Sequence, residues 1–459
     1  QSVEDSLLGE HAIEFTVAHR RTLWERIIGV GVGGGMKRVV IIGGGFGGLN
    51  LARQLSKNEA FQIVLIDKNN YHQFQPLFYQ VAMAGLEPSS IVFPLRKMFQ
   101  RRKNVFVRVT TVESVDTTQQ TIHTGVGSLR YDYLVIGIGA DTNWYGNERV
   151  RANAVPMKSV SEALYLRNHI FEDYEKAVTA SDEVERQRYL DIVIVGGGPT
   201  GVEVAGALAE MRNNIIPKDY HDLSRQQIDI HLVHGSERLL NTMSQESSAA
   251  AERFLRSMGV HLHLDRVVKD YDGEKVYMDD GAVLYSEKVI WAAGITGNTI
   301  AGLDPQVVAR GNRIKVNAYN QVEGQTNVFA IGDIALQTTD AAFPNGHPQV
   351  AQVAIQHAAN LSKNLPVLAL QKGTLKPFRY KDLGNMATIG RHKAVVDLPF
   401  WKFQGALAWF AWLFVHLFAL IGTKNKVFVF INWVWNYLTY DQSLRLVIKP
   451  YRRDKKETS

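Results

Sequence analysis

Apolar and polar positions alternate along most of this chain in blocks that predict strands followed by helices. Residues 39–42 are a run of β-branched side chains that leads into the glycine-rich stretch 43–48, and apolar residues then recur at helical spacing. The same succession returns at Ile192–Val195 and residues 196–201. Short apolar strands that alternate with helices are typical of parallel sheets covered by helices. The pattern therefore predicts two α/β units.

Both glycine-rich stretches have the spacing of a dinucleotide-binding turn, with glycines at Gly43, Gly45, Gly48, Gly196, Gly198 and Gly201. In such a turn the first glycine makes the bend, the second admits the pyrophosphate, and the third packs the helix on the strand. The helix N-terminus then faces the phosphate charge. Two turns predict two dinucleotides, although either one alone is also compatible with a turn that binds nothing.

The end of the second predicted strand carries an acid that fits this interpretation. Asp67 lies 19 positions after Gly48, where a carboxylate hydrogen-bonds the ribose of a bound adenosine. A surface aspartate after a strand is otherwise common, so it is the register that favours the ribose role.

Three further strands end in small residues and allow a cofactor to approach their backbone. They are residues 131–140, residues 288–294 and residues 327–333, the last ending in Gly332 and Asp333. In this order, Asp333 suits the ribityl hydroxyls of a flavin. The order also predicts one nucleotide-binding domain that is interrupted by another, with the Gly-Asp strand returning to the first.

Composition excludes several kinds of chemistry. The sequence has no cysteine, so it has no disulfide, no thiolate metal site and no dithiol to carry electrons away from a flavin. Its histidines lack metal-site spacings, and we expect no metal. The net charge of +6 permits an anionic partner but does not indicate nucleic acid.

Residues 1–35 do not resemble part of the fold. They contain several acids and end in a glycine run before Met36, which fits neither a signal peptide nor a transit peptide. We interpret them as a tag-like segment or an upstream extension, and a short amphipathic helix at residues 15–28 is the alternative.

Longer motifs indicate which family the chain resembles. Residues 71–82, 93–96, 351–356 and 378–391 are similar to segments of type II NADH:quinone oxidoreductases, and residues 36–389 resemble two-dinucleotide flavoproteins in general. The resemblance implies an α/β fold with two Rossmann-like domains, an FAD domain interrupted by an NAD(P)H domain, and C-terminal amphipathic membrane-anchoring helices. The expected boundaries are 36–154 and 298–375 for FAD, 155–297 for NAD(P)H, and 376–459 for the quinone site and anchor.

The resemblance also implies which residues contact FAD and NADH. These cofactor contacts are Gly43, Gly45, Phe46, Gly47, Gly48, Asp67, Lys68, Gln80, Val112, Gly139, Ala140, Gly196, Gly198, Pro199, Thr200, Gly201, Glu203, Ala293, Gly294, Gly332, Asp333 and Gln349.

Four residues are expected to act in the reaction itself. Gln352 and Gln356 are spaced to share one helix face, which the resemblance places in the quinone pocket, and a solvated face is the alternative. Lys381 is a candidate for contact with the quinone carbonyl or for its proton supply, although most lysines are simply solvated. Glu203 is expected against the nicotinamide, or else as a first-turn complement to the helix dipole. Pro348 suits the first turn of the helix that carries the glutamines.

The choice between NADH and NADPH is left open. His234 stands where NADH-specific members of the family often carry glutamate, and Glu237 and Arg238 follow closely. An acid would bind the 2′-OH of NADH and repel the 2′-phosphate of NADPH, whereas Arg238 could assist a phosphate. We expect NADH as the donor, with NADPH possible.

Residues 401–438 are the most apolar part of the chain and contain five of its eight tryptophans. Tryptophan favours the membrane interface, and a basic tail of Lys449, Arg452, Arg453, Lys455 and Lys456 suits anionic lipid. We expect helices that lie in one leaflet. A buried core or dimerisation pair and a membrane-spanning helix are the alternatives.

Together these features predict a flavoenzyme that oxidises NADH and reduces a membrane quinone without pumping protons. We expect a homodimer at the cytoplasmic face of the cell membrane, bound peripherally, with no nucleic-acid partner. The alternatives are a soluble flavin reductase that serves a protein acceptor and a flavin-binding sensor.

Overall fold

The structure is a computed structural model that describes residues 36–442 and 444–448. The N-terminal segment 1–35, with its expected amphipathic helix, and the basic residues from Lys449 to Lys456 lie outside the described residues.

The strands are short, as expected for a chain with many turns, and their bounds in chain order are β1 Lys37–Ile42, β2 Phe61–Asp67, β3 Tyr71–Gln73, β4 Val92–Pro94, β5 Val105–Val109, β6 Val112–Asp116, β7 Thr121–Thr124, β8 Gly127–Arg130, β9 Tyr133–Ile136, β10 Ala140–Thr142, β11 Val155–Pro156, β12 Ile192–Val195, β13 Ile230–His234, β14 Val260–Leu264, β15 Val268–Tyr271, β16 Lys275–Met278, β17 Val283–Tyr285, β18 Lys288–Trp291, β19 Ile295–Gly297, β20 Val308–Ala309, β21 Arg313–Val316, β22 Val328–Ala330, β23 Ala335–Gln337, β24 Asn385–Gly390, β25 Lys393–Asp397 and β26 Lys402–Gln404.

The α-helices vary from one turn to more than five turns, and their bounds are α1 Phe46–Leu55, α2 Phe78–Ala82, α3 Pro88–Ile91, α4 Leu95–Met98, α5 Glu148–Asn153, α6 Val160–Thr179, α7 Glu183–Leu190, α8 Pro199–Asn214, α9 Ile216–Asp219, α10 Gln245–Ser257, α11 Ala351–Leu370, α12 Ala406–Ala419 and α13 Thr423–Thr439.

The first compact unit comprises the described residues up to His72, Phe93–Asp141 and Ile295–Lys381. Its centre is a parallel sheet in the order β22-β9-β1-β2-β5. Strands β1 and β2 are buried almost throughout, as expected for a parallel sheet whose two faces are both covered. Strand β22 comes late in the chain and pairs with β9. This confirms the prediction that the Gly-Asp strand returns to the first nucleotide fold.

The second compact unit comprises Gln73–Val92, Thr142–Gly294 and the described residues from Asp382 onward. It has its own parallel sheet in the order β11-β18-β12-β13-β14, and two antiparallel sheets, β15-β16-β17 and β24-β25-β26. Each unit therefore contains a Rossmann-like sheet, which confirms the predicted α/β class.

The apolar C-terminal segment folds as the helix pair α12 and α13. One side of α12 is covered, with Ala408 and Trp412 buried, whereas Phe410, Phe414 and Phe418 are exposed. Among the described residues, none of the helices combines the length and the apolar character that crossing a membrane requires.

Candidate functional site

In the first glycine turn, between β1 and α1, three glycines have different structural roles. Gly43 has a φ of +103°, and a Cβ there would lie 2.2 Å from the Gly137 carbonyl oxygen. A Cβ on Gly48 would lie 1.9 Å from the Gly43 oxygen, whereas a Cβ on Gly45 would meet no atom within 4 Å. The first and third glycines thus close the turn, and the second leaves its backbone open to a ligand. This is the arrangement that a pyrophosphate requires.

Asp67 lies against this turn. Its carboxylate accepts hydrogen bonds from the Gly44 backbone N–H at 2.6 Å and from the Asn69 backbone N–H at 2.7 Å. Burial raises the pKa of Asp67, and these two hydrogen bonds oppose that effect. The acid at the end of β2 and the glycine turn are therefore brought together as the sequence predicts.

His72, which belongs to the motif at residues 71–82, is a buried neighbour of the turn. Its Nδ1 lies 3.0 Å from the Gly44 carbonyl oxygen, and its ring stands edge-on to Phe46 at 5.1 Å between centroids. Its Nε2 is buried without a hydrogen-bond partner. The motif at residues 71–82 was the signal that could have identified it.

The Gly-Asp turn of the first unit is held by helix α11 and by the residues just before it. The Gly332 N–H donates to Nδ1 of His357 at 3.1 Å, and the Gln349 side-chain amide donates to the Asp333 carbonyl oxygen at 3.0 Å. Gly332 has a φ of +73°, which favours glycine. Gly332, Asp333 and Gln349 are thereby brought together, and His357 is a positioning residue that sequence reasoning missed.

The other flavin contacts expected in the first unit lie on its loops and strand ends. Gly47 is buried on α1, and a Cβ there would lie 3.2 Å from the Ile331 side chain. Lys68 is exposed after β2, Val112 begins β6, and Gly139, with a φ of +70°, directly precedes β10, which begins at Ala140.

The start of α11 differs from the prediction. The helix begins at Ala351 with Val350 as its N-cap, so Pro348 lies before the first turn rather than in it. The open N–H groups of this helix end therefore belong to residues after Val350. The interpretation of Pro348 as a first-turn residue was wrong.

Gln356 and Lys381 meet, but through the backbone of Lys381. The Gln356 amide donates to the Lys381 carbonyl oxygen at 2.9 Å and accepts from the Lys381 N–H at 3.0 Å. Gln352 lies one turn earlier on α11 and, like Gln356, is half-buried. The side chain of Gln356 is thus engaged in holding the segment that ends the first unit.

The second glycine turn, between β12 and α8, repeats the geometry of the first. Gly196 has a φ of +115°, and a Cβ there would lie 2.3 Å from the Ala292 oxygen. A Cβ on Gly201 would lie 1.8 Å from the Gly196 oxygen, and one on Gly198 would meet nothing within 4 Å. Pro199 and Thr200 begin α8 directly after the turn. The second turn therefore leaves a ligand the same opening as the first.

Ala293 and Gly294 follow β18 in the same unit. The Tyr145 hydroxyl donates to the Ala293 carbonyl oxygen at 2.9 Å, and the Gly294 oxygen accepts from the Asn143 N–H at 3.0 Å. A Cβ on Gly294 would lie 2.5 Å from the Tyr145 hydroxyl. The absence of a side chain at Gly294 thus admits Tyr145 to this strand end.

His234 lies at the second turn, but Arg238 is engaged elsewhere. Nδ1 of His234 accepts the Gly197 N–H at 3.1 Å, and burial lowers its pKa, so the imidazole is neutral. The Arg238 guanidinium donates to the carbonyl oxygens of Met243 at 3.0 Å and Asn241 at 2.8 Å, and to the Ser248 hydroxyl at 3.2 Å. The expectation that Arg238 assists a 2′-phosphate is therefore not supported by its position.

A cavity of about 140 Å³ lies within the second unit. Six aromatic residues contribute to its walls, and they are Tyr79, Trp409, Trp412, Trp433, Tyr437 and Tyr440. Its polar side chains include Gln80, Glu203, Glu210 and Arg391. An engineered apolar cavity of about 150 Å³ holds benzene, so this space suits one six-membered ring.

Helix α8 reaches the cavity because glycine lets it approach strand β24. A Cβ on Gly206 would lie 1.6 Å from the Ile389 carbonyl oxygen, so only glycine allows this contact. Glu203 and Glu210, two turns apart, consequently project into the same space. Glu203 lies in the second turn of α8, which begins at Pro199, so its interpretation as a first-turn dipole complement was wrong.

Burial changes the ionisation of the cavity acids. It raises the pKa of Glu203 to about 8. Burial also raises the pKa of Glu210, whose carboxylate accepts the Arg391 N–H. Glu203 is therefore mainly protonated at pH 7 and can donate a proton or a hydrogen bond.

The remaining cavity groups are tightly bound to one another. The Gln80 amide donates to the Tyr79 hydroxyl at 2.7 Å and accepts from the Trp433 indole at 2.8 Å. The Arg391 guanidinium stacks on Tyr437 and Tyr440 at 4.1 and 4.0 Å. Its Nε and Nη1 are buried without hydrogen-bond partners. Gln80, expected at a cofactor, is thus part of this aromatic wall.

Two family profiles match the chain. The pyridine nucleotide-disulphide oxidoreductase profile matches residues 37–358, and the NDH2 C-terminal domain profile matches residues 383–440. Together they cover both glycine turns, the cavity and the helix pair.

Two relatives and one solved structure match nearly the whole chain. A type II NADH:quinone oxidoreductase of Mycobacterium tuberculosis, NdhA, is 36% identical over 416 residues, which are 87% of each chain. A type II NADH:quinone oxidoreductase of Haemophilus influenzae is 28% identical and matches 83% of this chain and 93% of its own. The structure of NDH2 from Plasmodium falciparum in complex with NADH has a TM-score of 0.82 at 23% identity, covering 90% of this chain and 100% of that one.

Proposed function

Because the chain belongs to the pyridine nucleotide-disulphide oxidoreductases and, within them, to the type II NADH:quinone oxidoreductases, we propose that it oxidises NADH through bound FAD and reduces a membrane quinone to quinol, without pumping protons. The observation that carries this proposal is the pair of glycine turns, each open at its middle glycine. Since the sequence has no cysteine, the electrons leave the flavin directly. The family favours this function over a soluble reductase or a sensor.

The cofactors fit the residues that surround the two turns. In the first unit, the backbone of Gly45 contacts the FAD pyrophosphate in this proposal. The carboxylate of Asp67 binds the ribose, and the carboxylate of Asp333 binds the ribityl chain. Phe46, Gly47, Lys68, Val112, Gly139 and Gln349 complete the proposed FAD contacts. When bound, FAD supplies the acceptor for a hydride. We assign residues 36–154 and 298–375 to its domain.

The donor belongs to the second unit. Gly198, Pro199 and Thr200 present the start of α8 to the NADH pyrophosphate, and Ala293 and Gly294 border the same sheet edge. The neutral imidazole of His234 neither repels a 2′-phosphate nor attracts it strongly, and Arg238 is bound to backbone carbonyls. We therefore propose that NADH is the donor and binds to the domain of residues 155–297, which discriminates only weakly against NADPH.

The aromatic cavity is the proposed place for the quinone ring. Its volume suits one ring, its walls include six aromatic side chains, and Glu203 is a protonated acid that lines it. A quinone accepts two protons as it is reduced, and Glu203 can supply one from its carboxyl oxygen. The two orphaned nitrogens of Arg391 are donors for a carbonyl oxygen. The same carboxyl can orient the nicotinamide.

Gln352, Gln356 and Lys381 remain proposed participants in the acceptor half-reaction. The bidentate contact between the Gln356 amide and the Lys381 backbone favours a positioning role for Gln356. This contact uses the backbone of Lys381 and does not involve its side-chain ammonium. Loss of Gln356 is therefore expected to act through the Lys381 segment.

Helices α12 and α13 are the proposed membrane contact. Their outer faces expose large apolar side chains, which include Leu407, Phe410, Phe414, Phe418, Phe428, Phe430, Ile431, Trp435 and Leu438. A patch of this kind marks a membrane or protein interface. We propose peripheral attachment to one leaflet at the cytoplasmic face, with the chain acting as a homodimer.

The test separates the two half-reactions of the FAD-loaded enzyme in lipid. We expect NADH to bleach the flavin and a ubiquinone or menaquinone analogue to restore its colour. Ala207→Leu, which fills the cavity, should slow reoxidation by quinone and leave reduction by NADH unchanged, and Ala207→Ser is the control of nearly native size. A flavin that NADH does not bleach, or that no quinone reoxidises, would contradict the proposal.

A further inference from the structure

Three histidines of the second unit lie side by side on two neighbouring strands. His231 lies on β13, and the parallel register places it opposite His261 on β14. His263 is two residues further along β14 and therefore shares the face of His261. The His231 ring lies 5.1 Å from that of His261 and 5.3 Å from that of His263. The strand pairing thus gathers imidazoles that are thirty residues apart in the sequence.

Two aspartates complete this cluster. Asp191 and Asp229 directly precede β12 and β13, which are neighbours in the sheet. One carboxylate oxygen of each, and one ring nitrogen of His231, all lie within 4.8 Å of one another. A metal bound at about 2.0–2.2 Å holds its ligands within about 4.4 Å, so the three atoms can meet at a single ion after side-chain adjustments of a few tenths of an ångström.

We propose that Asp191, Asp229 and His231 bind a divalent transition-metal ion of the Zn²⁺ class. Imidazole with carboxylate favours such ions over Ca²⁺ and Mg²⁺, which prefer oxygen alone. The composition-based expectation of no metal depended on local spacing, and these ligands come from three different segments of the chain.

The groups around the three ligands already orient them. His263 Nε2 lies 3.1 Å from Nδ1 of His231, and His261 Nε2 lies 3.1 Å from Oδ1 of Asp229. Oδ1 of Asp191 accepts hydrogen bonds from the Gln187 amide at 2.6 Å and the Asp229 N–H at 3.1 Å. Such outer contacts fix ring and carboxylate orientation in metal sites.

The position of the site defines its role. Asp191 precedes β12, whereas Gly196, which opens the dinucleotide turn, follows the same strand. The ion thus lies at the opposite end of this strand from the proposed NADH site and cross-links the starts of β12 and β13. We assign it a stabilising function, independent of electron transfer.

Equilibrium dialysis of the full-length, FAD-loaded protein tests the proposal. The protein is prepared without an affinity tag, treated with a chelator and dialysed against Zn²⁺ or Ca²⁺. We expect saturable binding of Zn²⁺ and none of Ca²⁺. His231→Gln and Asp229→Asn should each weaken Zn²⁺ binding at least tenfold, and His263→Gln by about 10–100-fold, as outer-shell changes do. His123→Gln is the control, because His123 is exposed and its ring nitrogen contacts the Ser128 hydroxyl rather than the cluster.

Two further readouts keep the result interpretable. Flavin content and circular dichroism establish that each variant is folded, and His263→Gln tests the site if His231→Gln does not fold. Zn²⁺ should raise the thermal unfolding midpoint of the wild-type protein and of His123→Gln, but not that of Asp229→Asn. Zn²⁺ binding that is absent from the wild type, unchanged in the folded site variants, or matched by Ca²⁺ would overturn the proposal. None of these outcomes bears on NADH oxidation.

Discussion

Replacement of Glu203 by glutamine should change how the stability of the fold depends on pH. Burial raises the pKa of this carboxyl from 4.5 to about 8 in the folded protein. The folded state therefore keeps a proton that the unfolded chain releases throughout the interval between these two values. A group of this kind stabilises the fold at low pH, and the stabilisation is lost as pH rises through the interval. Glutamine resembles the protonated acid and cannot ionise.

The size of the effect follows from the two pKa values. Within the interval, each pH unit removes about 1.4 kcal/mol of folding free energy. Since the loss levels off near the folded pKa, the change between pH 6 and pH 8 is about 2 kcal/mol. Glu203→Gln should therefore gain about 2 kcal/mol relative to the wild type over this range. Glu210, whose pKa burial also raises, is present in both proteins.

Thermal unfolding of the FAD-loaded protein at pH 6, 7, 8 and 9 provides the measurement. The midpoint of Glu203→Gln should rise relative to that of the wild type between pH 6 and pH 8 and then remain level. Glu148→Gln is the control, because the Glu148 side chain is 76% exposed. If the two midpoints stay parallel from pH 6 to pH 9, Glu203 is already ionised at pH 6 and cannot be the proposed proton donor.

Three other predictions test the turns, the donor site and the outer face of α12. Gly45→Ala should fold but bind FAD at least tenfold more weakly, whereas Gly48→Ala should fail to fold normally because its Cβ would lie 1.9 Å from the Gly43 oxygen. Flavin absorbance measures FAD content and circular dichroism measures folding. A Gly45→Ala protein with the flavin content of the wild type would contradict the proposed role of Gly45. His234→Glu should raise the NADH-to-NADPH ratio of kcat/KM at least tenfold, because a carboxylate repels a 2′-phosphate; an unchanged steady-state ratio would place His234 away from the ribose. Phe414→Ser should weaken binding to lipid vesicles about thirtyfold, because about 2 kcal/mol of favourable aromatic burial is lost, and it should not slow flavin reduction. Unchanged co-sedimentation with vesicles would exclude this face from the membrane contact.

The parts of the site that the sequence predicted are those encoded by neighbouring residues. Gly43 and Gly196 belong to motifs of six residues, so their spacing, together with the strand before and the helix after each motif, identified them. Asp67 was found because strand and helix lengths in a βαβ unit fix its distance from the turn. The contacts of Arg238 with carbonyl oxygens of the adjoining loop could not be predicted, because no sequence pattern distinguishes a guanidinium that holds a loop from one that binds a phosphate.

The cavity escaped prediction because its walls come from distant segments. Tyr79, Glu203, Arg391 and Trp433 meet only after the second unit has folded. The histidine cluster escaped for the same reason, since strand register and not spacing unites it. Non-local sites of this kind require the fold to be known first, whereas the turns are the features from which the fold was predicted.

Helix α12 is apolar on all sides, so its sequence could not show which side lines the cavity and which is the proposed membrane contact. Trp412 is 1% exposed and lines the cavity, whereas Phe414, two residues later, is 63% exposed. With both sides apolar, the sequence has no amphipathic stripe to show which side faces inward. Because the two faces belong to one helix, substitutions of similar size should separate their functions. A change at Phe414 should affect vesicle binding, and a change that fills the space beside Trp412 should affect quinone reduction.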